Sequence, residues 1–309
     1  MSLKIQRITK NSSATLLLLK NKKVSVVIDP ACGGRIVEYA IKGENILYID
    51  PNEERYTFSV EKPPLNSHSP TGGRFDVGPE LVIPEHPDLW VGQWDVIHAD
   101  ELGIVIRSKK DRNSGIQLER FFKLADDSSN LLFTQTIRNL SEQLVSCYHW
   151  SRTQVVGGGI FISPLSKFWR FPKRYVVFNP DHTINYMPEP DEHVLVQDDD
   201  VVVTGKPVGS RIAFDSNEGW MAYVAPNDLM LVKKFHVYAE RDYGEIVSNN
   251  MSLLYEDTFC ELSPFGPITY LEPGQEDSFT EEWWLFPENF RKIGKSFDVS
   301  EIKNIISDL

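Results

Sequence analysis

Residues 116–139 read IQLERFFKLADDSSNLLFTQTIRN. Ile116, Leu118, Phe122 and Leu124 fall on one period-2 face, with Gln117, Glu119 and Lys123 on the other. After Asp126-Asp127-Ser128-Ser129-Asn130 the alternation resumes. Leu131, Phe133 and Ile137 oppose Thr134, Thr136 and Arg138. Such alternation means strands with one face buried and the other polar. The pattern spreads outward from here. Leu102, Ile104 and Ile106 alternate with Gly103, Val105 and Arg107, and Asp111-Arg112-Asn113-Ser114-Gly115 and Asn139-Leu140-Ser141 supply further turns. Strand signals at this spacing predict a large antiparallel all-β sandwich.

The chain has 309 residues, enough for a sizeable core. No low-complexity linker or 20–50-residue repeat divides it, so one domain over 1–309 is expected, with its core at about 15–287. A formal net charge of −12 argues against a general nucleic-acid binder and against docking on anionic membranes. Cys32, Cys147 and Cys260 are odd in number, widely spaced and without zinc spacing, so they read as buried free thiols rather than a disulfide. The apolar run Ala14 to Leu19 is too short to span a bilayer and is followed at once by charge. A cytoplasmic protein, monomer or homodimer, is the expectation.

Helix periodicity is clear only at the C-terminus. Ile302, Ile305, Ile306 and Leu309 recur at i, i+3, i+4, i+7, and Asp298 and Glu301 are spaced like a capping box. A helix over 299–309, packed outside the sheets, follows. Two Pro-rich irregular stretches, 61–90 and 179–193, are long loops of the kind that carry function or move. Asp198-Asp199-Asp200 reads as a solvated turn or, more sharply, a calcium site, but it lacks EF-hand spacing. Gly157-Gly158-Gly159 is followed by Ile160-Phe161-Ile162, a strand rather than a helix, so it is a bulge or hairpin turn and not a phosphate cradle.

None of the seven histidines has the spacing of a helical metal site, and no Gly-x-Ser-x-Gly elbow occurs. Neither a metal nor an organic cofactor is expected. Four segments carry candidate chemistry. Asp29-Pro30-Ala31-Cys32-Gly33-Gly34-Arg35-Ile36 reads as a hairpin whose glycines permit tight geometry. Thr71-Gly72-Gly73-Arg74-Phe75-Asp76-Val77-Gly78-Pro79-Glu80 leads on to His86, Trp90 and Trp94. Arg74, Asp76, His86 and the two tryptophans are the tools of sugar recognition, forks for hydroxyls and aromatic faces for C–H surfaces. The plainer reading makes the tryptophans core and Arg74 a structural ion pair. Ser146-Cys147-Tyr148-His149-Trp150-Ser151-Arg152 holds a histidine inside a strand, either packed core or a general acid. Phe259-Cys260-Glu261 ends an apolar run before a Pro/Gly-rich loop, so Glu261 is either solvated or a carboxylate tuned for proton transfer.

Taken in order, these segments resemble the galactose mutarotase-like (aldose 1-epimerase-like) superfamily, whose fold is a β-supersandwich. The first hairpin is similar to its N-terminal Gly-Gly strand pair. Thr136-Ile137-Arg138-Asn139 followed by Tyr148-His149-Trp150 resembles its "strand, Asn, polar residue, then histidine" segment, although the family's histidine usually stands in Asn-His-Pro/Thr-Tyr-Phe-Asn. Phe259-Cys260-Glu261 with Leu271-Glu272-Pro273-Gly274 resembles its terminal "Cys-Ile-Glu … Leu-x-Pro-Gly" pattern. The block from Gly73 to Glu80 is similar to an uncharacterised branch of that superfamily. The resemblance implies Glu261 as general base, His149 as general acid, and Arg74 as a sugar-contacting arginine, with His86 a second active-site histidine; Arg152 is a further candidate substrate contact.

The activity so implied is an isomerase reaction at the anomeric carbon. Glu261 takes the anomeric hydroxyl proton while His149 protonates the ring oxygen; the ring opens and recloses as the other anomer. Both groups must then share one pocket. The rival on the same fold is a carbohydrate-binding or regulatory module without turnover, in which one of the pair lies elsewhere. A sugar-phosphate 1-epimerase is a third reading, with Arg35, Arg74 and Arg152 as phosphate ligands. The partner in every case is a small sugar or sugar derivative.

Overall fold

A computed structural model describes residues 4–9, 15–53, 60–61, 69–79, 83–181, 183–290 and 299–309. Among these residues the strands form two antiparallel sheets. The larger has thirteen strands, and its central path runs Arg35–Ile41, Gly73–Gly78, Val145–Val156, Phe259–Pro264, Met251–Tyr255, Arg211–Phe214. The smaller has ten, and its middle runs Ile160–Pro164, Trp220–Ala225, Leu229–Phe235, Glu276–Pro287, Leu131–Asn139, Ile116–Leu124. This is the all-β β-supersandwich with a short C-terminal helix that the alternation and the resemblance predict.

The stretch 116–139 forms a hairpin in which Leu118 pairs with Ile137 and Phe122 with Phe133. Its apolar residues turn inward. Phe122 stacks on Phe133 at 4.6 Å, and Phe133 meets Phe75 of the opposite sheet edge-on at 5.3 Å. One apolar cluster thus runs between the sheets and draws on both. Its favourable term is the apolar area withdrawn from water, about 25 cal/mol per Å2.

The inward faces are not purely apolar. Arg120 and Gln135 share the parity of Phe122 and Phe133 and are buried with them. Arg120 reaches across to the other sheet and donates to the carbonyls of Gly33 (2.6 Å), Gly34 (2.9 Å) and Phe75. Lys233 and Glu281 obey the same rule, pairing at 3.1 Å with both side chains fully buried. Lys233 also donates to Ser151 Oγ and Thr153 Oγ1 in the larger sheet. Buried charge is tolerable only when so paired and hydrogen-bonded.

Three local expectations change. Gly157–Gly159 links Val145–Val156 in one sheet to Ile160–Pro164 in the other, so it is a crossover between layers rather than a bulge or hairpin. Among its described residues the Pro-rich 61–90 stretch contains one helical turn, Pro87–Trp90, with proline at its start, where a missing N–H costs nothing. Asp198 turns the chain with φ +50°, and Asp200 is buried against Lys303 at 2.6 Å. Among the described residues no group of three or more His, Cys, Asp or Glu is placed to hold a metal ion.

The C-terminal helix spans Val299–Ser307, and the Asp298 of its expected capping box lies outside the described residues. Ile302 and Ile306 bury themselves on Ile160, Ile162, Val224 and Val232, on the outer face of the smaller sheet. Cys32, Cys147 and Cys260 are free and buried, and burial pushes each thiol up to about 12. Among the described residues no helix is long and apolar enough to cross a membrane.

Candidate functional site

Strand parity builds the site. In Gly73–Gly78, Phe75 and Val77 face the core, so Arg74 and Asp76 face the outer side of the larger sheet. The neighbouring strand sets Trp150 opposite Asp76 and Arg152 opposite Arg74. One strand further, Gln154 stands opposite Glu261. These residues share one face, and directly opposite side chains on a face lie about 5 Å apart.

Glu261 is held on two sides. Arg152 Nε donates to its Oε1 at 3.1 Å and Gln154 Nε2 to its Oε2 at 3.2 Å. Burial alone would raise its carboxyl, but Arg152, Arg211 and Arg74 outweigh burial and hold it down at about 2. Asp76 is likewise buried, yet kept below the usual carboxylate range by Arg74, Arg152 and His86. The Arg152 guanidinium also lies over the Trp150 ring at 4.4 Å, and that of Arg74 over Trp90 at 5.4 Å.

Arg74 differs from its neighbours. Its side chain is only 3 % exposed, and Nε, Nη1 and Nη2 have no hydrogen-bond partner among the described residues. Its contact with Asp76 is 3.8 Å, too long for a hydrogen bond. Trp90 Nε1, Trp150 Nε1 and Gln154 Oε1 on the same face are also buried without partners. Unpaired buried polar atoms are rare in native proteins and call for an explanation. A cluster of them, with aromatic rings beside it, is a candidate ligand site.

No family model matches the sequence, and no curated protein matches it. Solved structures do match the fold. A galactose mutarotase-like protein from Lactobacillus casei superposes with a TM-score of 0.60 over 88% of this chain and 100% of its own, at 9% identity. A galactose mutarotase-like protein from Clostridium acetobutylicum gives 0.58 over 93% and 99%, at 11% identity. A galactose mutarotase related enzyme from Lactobacillus acidophilus gives 0.57 over 90% and 100%, at 9% identity. The chain has a galactose mutarotase-like fold.

On this mutarotase-like scaffold the expected residues separate. Glu261, Arg74, Asp76 and Arg152 come together on the outer face, with Trp90 beside them. His86 sits half-buried at the start of the Pro87–Trp90 turn, its Nδ1 3.1 Å from the Pro84 carbonyl. His149 does not join them. Its parity is that of Ser151 and Thr153, which face Lys233 in the interior. It is fully buried between Phe75 and Phe279, with Gln135 Nε2 at 3.4 Å from Nδ1 and Asp277 at 3.4 Å from Nε2. A strand cannot present residues an odd number apart to the same face, so a direct His149–Glu261 acid–base pair is not formed. Trp94 is also core: it is 1 % exposed, Arg120 lies over its ring, and its indole donates to the Leu89 carbonyl. Arg35 is occupied with Glu53 at 2.6 and 2.8 Å and is no phosphate ligand in waiting.

Trp150, Gln154 and Arg211 escaped the sequence reading. Trp150 and Gln154 had a usable signal, since they share the parity of Arg152 within one strand. Arg211 had none; it reaches the site through the pairing of Arg211 with Leu254 and of Leu254 with Glu261.

Proposed function

We propose that this chain binds a carbohydrate on the outer face formed by Arg74, Asp76, Trp150, Arg152, Gln154 and Glu261, without turning it over through His149. The observation that carries this reading is strand parity: Glu261 shares the outer face of Arg74 and Arg152, and His149 faces the core. The state of Glu261 points the same way. A general base works best with a pKa near the working pH, and a carboxyl held at about 2 is a weak one. As a charged acceptor fixed by two donors it is well suited to hold a sugar hydroxyl.

Ligand-observed NMR over a panel of aldoses tests the reading in one experiment. Saturation transfer to a sugar is expected without acceleration of its α/β exchange. Accelerated exchange that is abolished in Glu261→Gln would establish turnover instead. One observation favours that second reading, an aldose 1-epimerase, in a modified form: His86 begins the turn whose Trp90 lies against Arg74, which brings a histidine toward the outer face. In that case His86→Asn, and not His149→Asn, removes the exchange, each lost proton-transfer group costing roughly 10²–10⁴-fold.

A further inference from the structure

The pairing register carries one row of residues straight across the larger sheet, away from Glu261. Glu261 stands opposite Leu254, Leu254 opposite Arg211, Arg211 opposite Phe178, and Phe178 opposite Ile184 in the last strand of the sheet order. Strand parity puts the whole row on the outer face, because the residues that alternate with it, Leu253, Ile212 and Val177, belong to the core. From Leu254 to Ile184 every member is half-buried rather than covered. Four strand spacings separate Glu261 from Ile184, about 19 Å.

The neighbouring row is closed. Val176, Ala213, Ser252 and Ser263 are buried, and Phe171 and Val247 pack with the first two. The half-buried row is thus the floor of a shallow track with an apolar wall along one side. Tyr186 continues that wall: its ring lies 6.2 Å from that of Phe171 and the residue is 47 % exposed. At the Glu261 end, Phe259 shares the outer face and stacks on Tyr48 at 5.5 Å. Exposed apolar groups gathered in this way mark an interaction surface. From Glu261 to Phe178 each strand is paired on both sides, so a peptide cannot join the track as a further strand. What the track offers is aromatic and aliphatic surface interrupted by one guanidinium. Pyranose rings match that, with C–H faces to stack and hydroxyl edges to meet the fork.

We infer that the ligand is an oligosaccharide that lies across the strands along this row. This rests on the carbohydrate-binding reading above and extends it. One ring occupies the face around Glu261, and the following rings run over Leu254, Arg211 and Phe178 toward Tyr186. Arg211, whose charge also acts on Glu261, meets the hydroxyls of the rings beyond the first. A single hexose covers only the start of the track, so its length selects for chain length.

Isothermal titration calorimetry tests this with malto-, cello-, xylo- and galacturono-oligosaccharides, each as a series from monomer to pentamer. In one series the pentamer is expected to bind about tenfold more tightly than the monomer, a comparison that needs no variant. The gain is expected to shrink about threefold or more in Tyr186→Ala, which removes an exposed ring, and in Phe178→Ala, each checked for folding by its melting curve. Sedimentation velocity of the free protein shows whether the track holds a second copy of the chain instead. Monomers that bind as tightly as their pentamers overturn the oligosaccharide inference and leave the carbohydrate reading standing. Absence of binding by every member of every series overturns both. A gain that survives in folded Tyr186→Ala and Phe178→Ala overturns the assignment to this row. A dimer that Tyr186→Ala dissociates makes the track an interface between copies and overturns the inference as well.

Discussion

Glu261 sits between two opposing forces. Burial favours its neutral form, while Arg152, Arg211 and Arg74 favour the charged one and prevail. Its folded carboxyl, at about 2, lies below the ordinary value of 4.5. A group depressed in this way stabilises the fold above its unfolded pKa and loses that contribution as pH falls through the folded one. Between pH 5 and 2 the wild-type protein should therefore lose a few kcal/mol of stability that Glu261→Gln does not lose, measurable by urea titration at each pH. Lys233 and Glu281 pose the same problem in the interior, where burial pulls the lysine below its ordinary range. Lys233→Met leaves a buried carboxylate unpaired and should cost about 3–5 kcal/mol. The double variant Lys233→Met/Glu281→Gln should recover most of that loss. If the double variant is no more stable than the single, the pair is not the cause.

Elements place these residues through close approaches. Gly33, at φ +62°, lies so near the Pro87–Trp90 turn that a Cβ would stand 2.1 Å from the Trp90 carbonyl. The backbone conformation alone disfavours a side chain by about 1–2 kcal/mol, before any clash. Gly33→Ala should lower the melting temperature and, by displacing Trp90 from Arg74, weaken ligand binding more than a distant variant of equal stability. The C-terminal helix plays a different part. Ile302 and Ile306 cover apolar residues of the smaller sheet's outer face, far in the topology from the Arg74 strand. Ile302→Ala should cost about 2–5 kcal/mol and leave sugar affinity unchanged. The helix's apolar spacing was legible because its apolar contacts use one stripe; the Pro87–Trp90 turn was not, since four residues carry no periodicity.

At the scale of the whole molecule, polar groups tie the two sheets together. Arg120 belongs to the smaller sheet, and the carbonyls it serves belong to the Gly33–Gly34 turn and the Arg74 strand of the larger. Arg120→Met strands three carbonyls and should cost roughly 3 kcal/mol or more, at about 1–3 kcal/mol for each unpaired group. A single apolar cluster draws on both sheets. The one-domain expectation then becomes testable: calorimetry should give a single unfolding transition with equal calorimetric and van't Hoff enthalpies. Two separable transitions would refute it.

Alternation within each strand is local, and the sequence by itself determined the strands, the all-β class and the terminal helix. It also held more than its apolar residues: Arg120, Gln135, Lys233 and Glu281 stand on apolar faces, and that parity already assigns them to the core. Glu261 was readable in the same way, since Cys260 and Leu262 oppose it. Val145–Val156 was not, because this central strand is buried on both faces and neither set of alternate residues is marked as inward. Only tertiary structure decided that Gln154 lies opposite Glu261 and Arg152 opposite Arg74, and with that, that His149 turns away. The reason is physical: parity is set by the chain's own geometry, but register and layer come from which distant strands pair, and a shift of one residue would have exchanged the two faces.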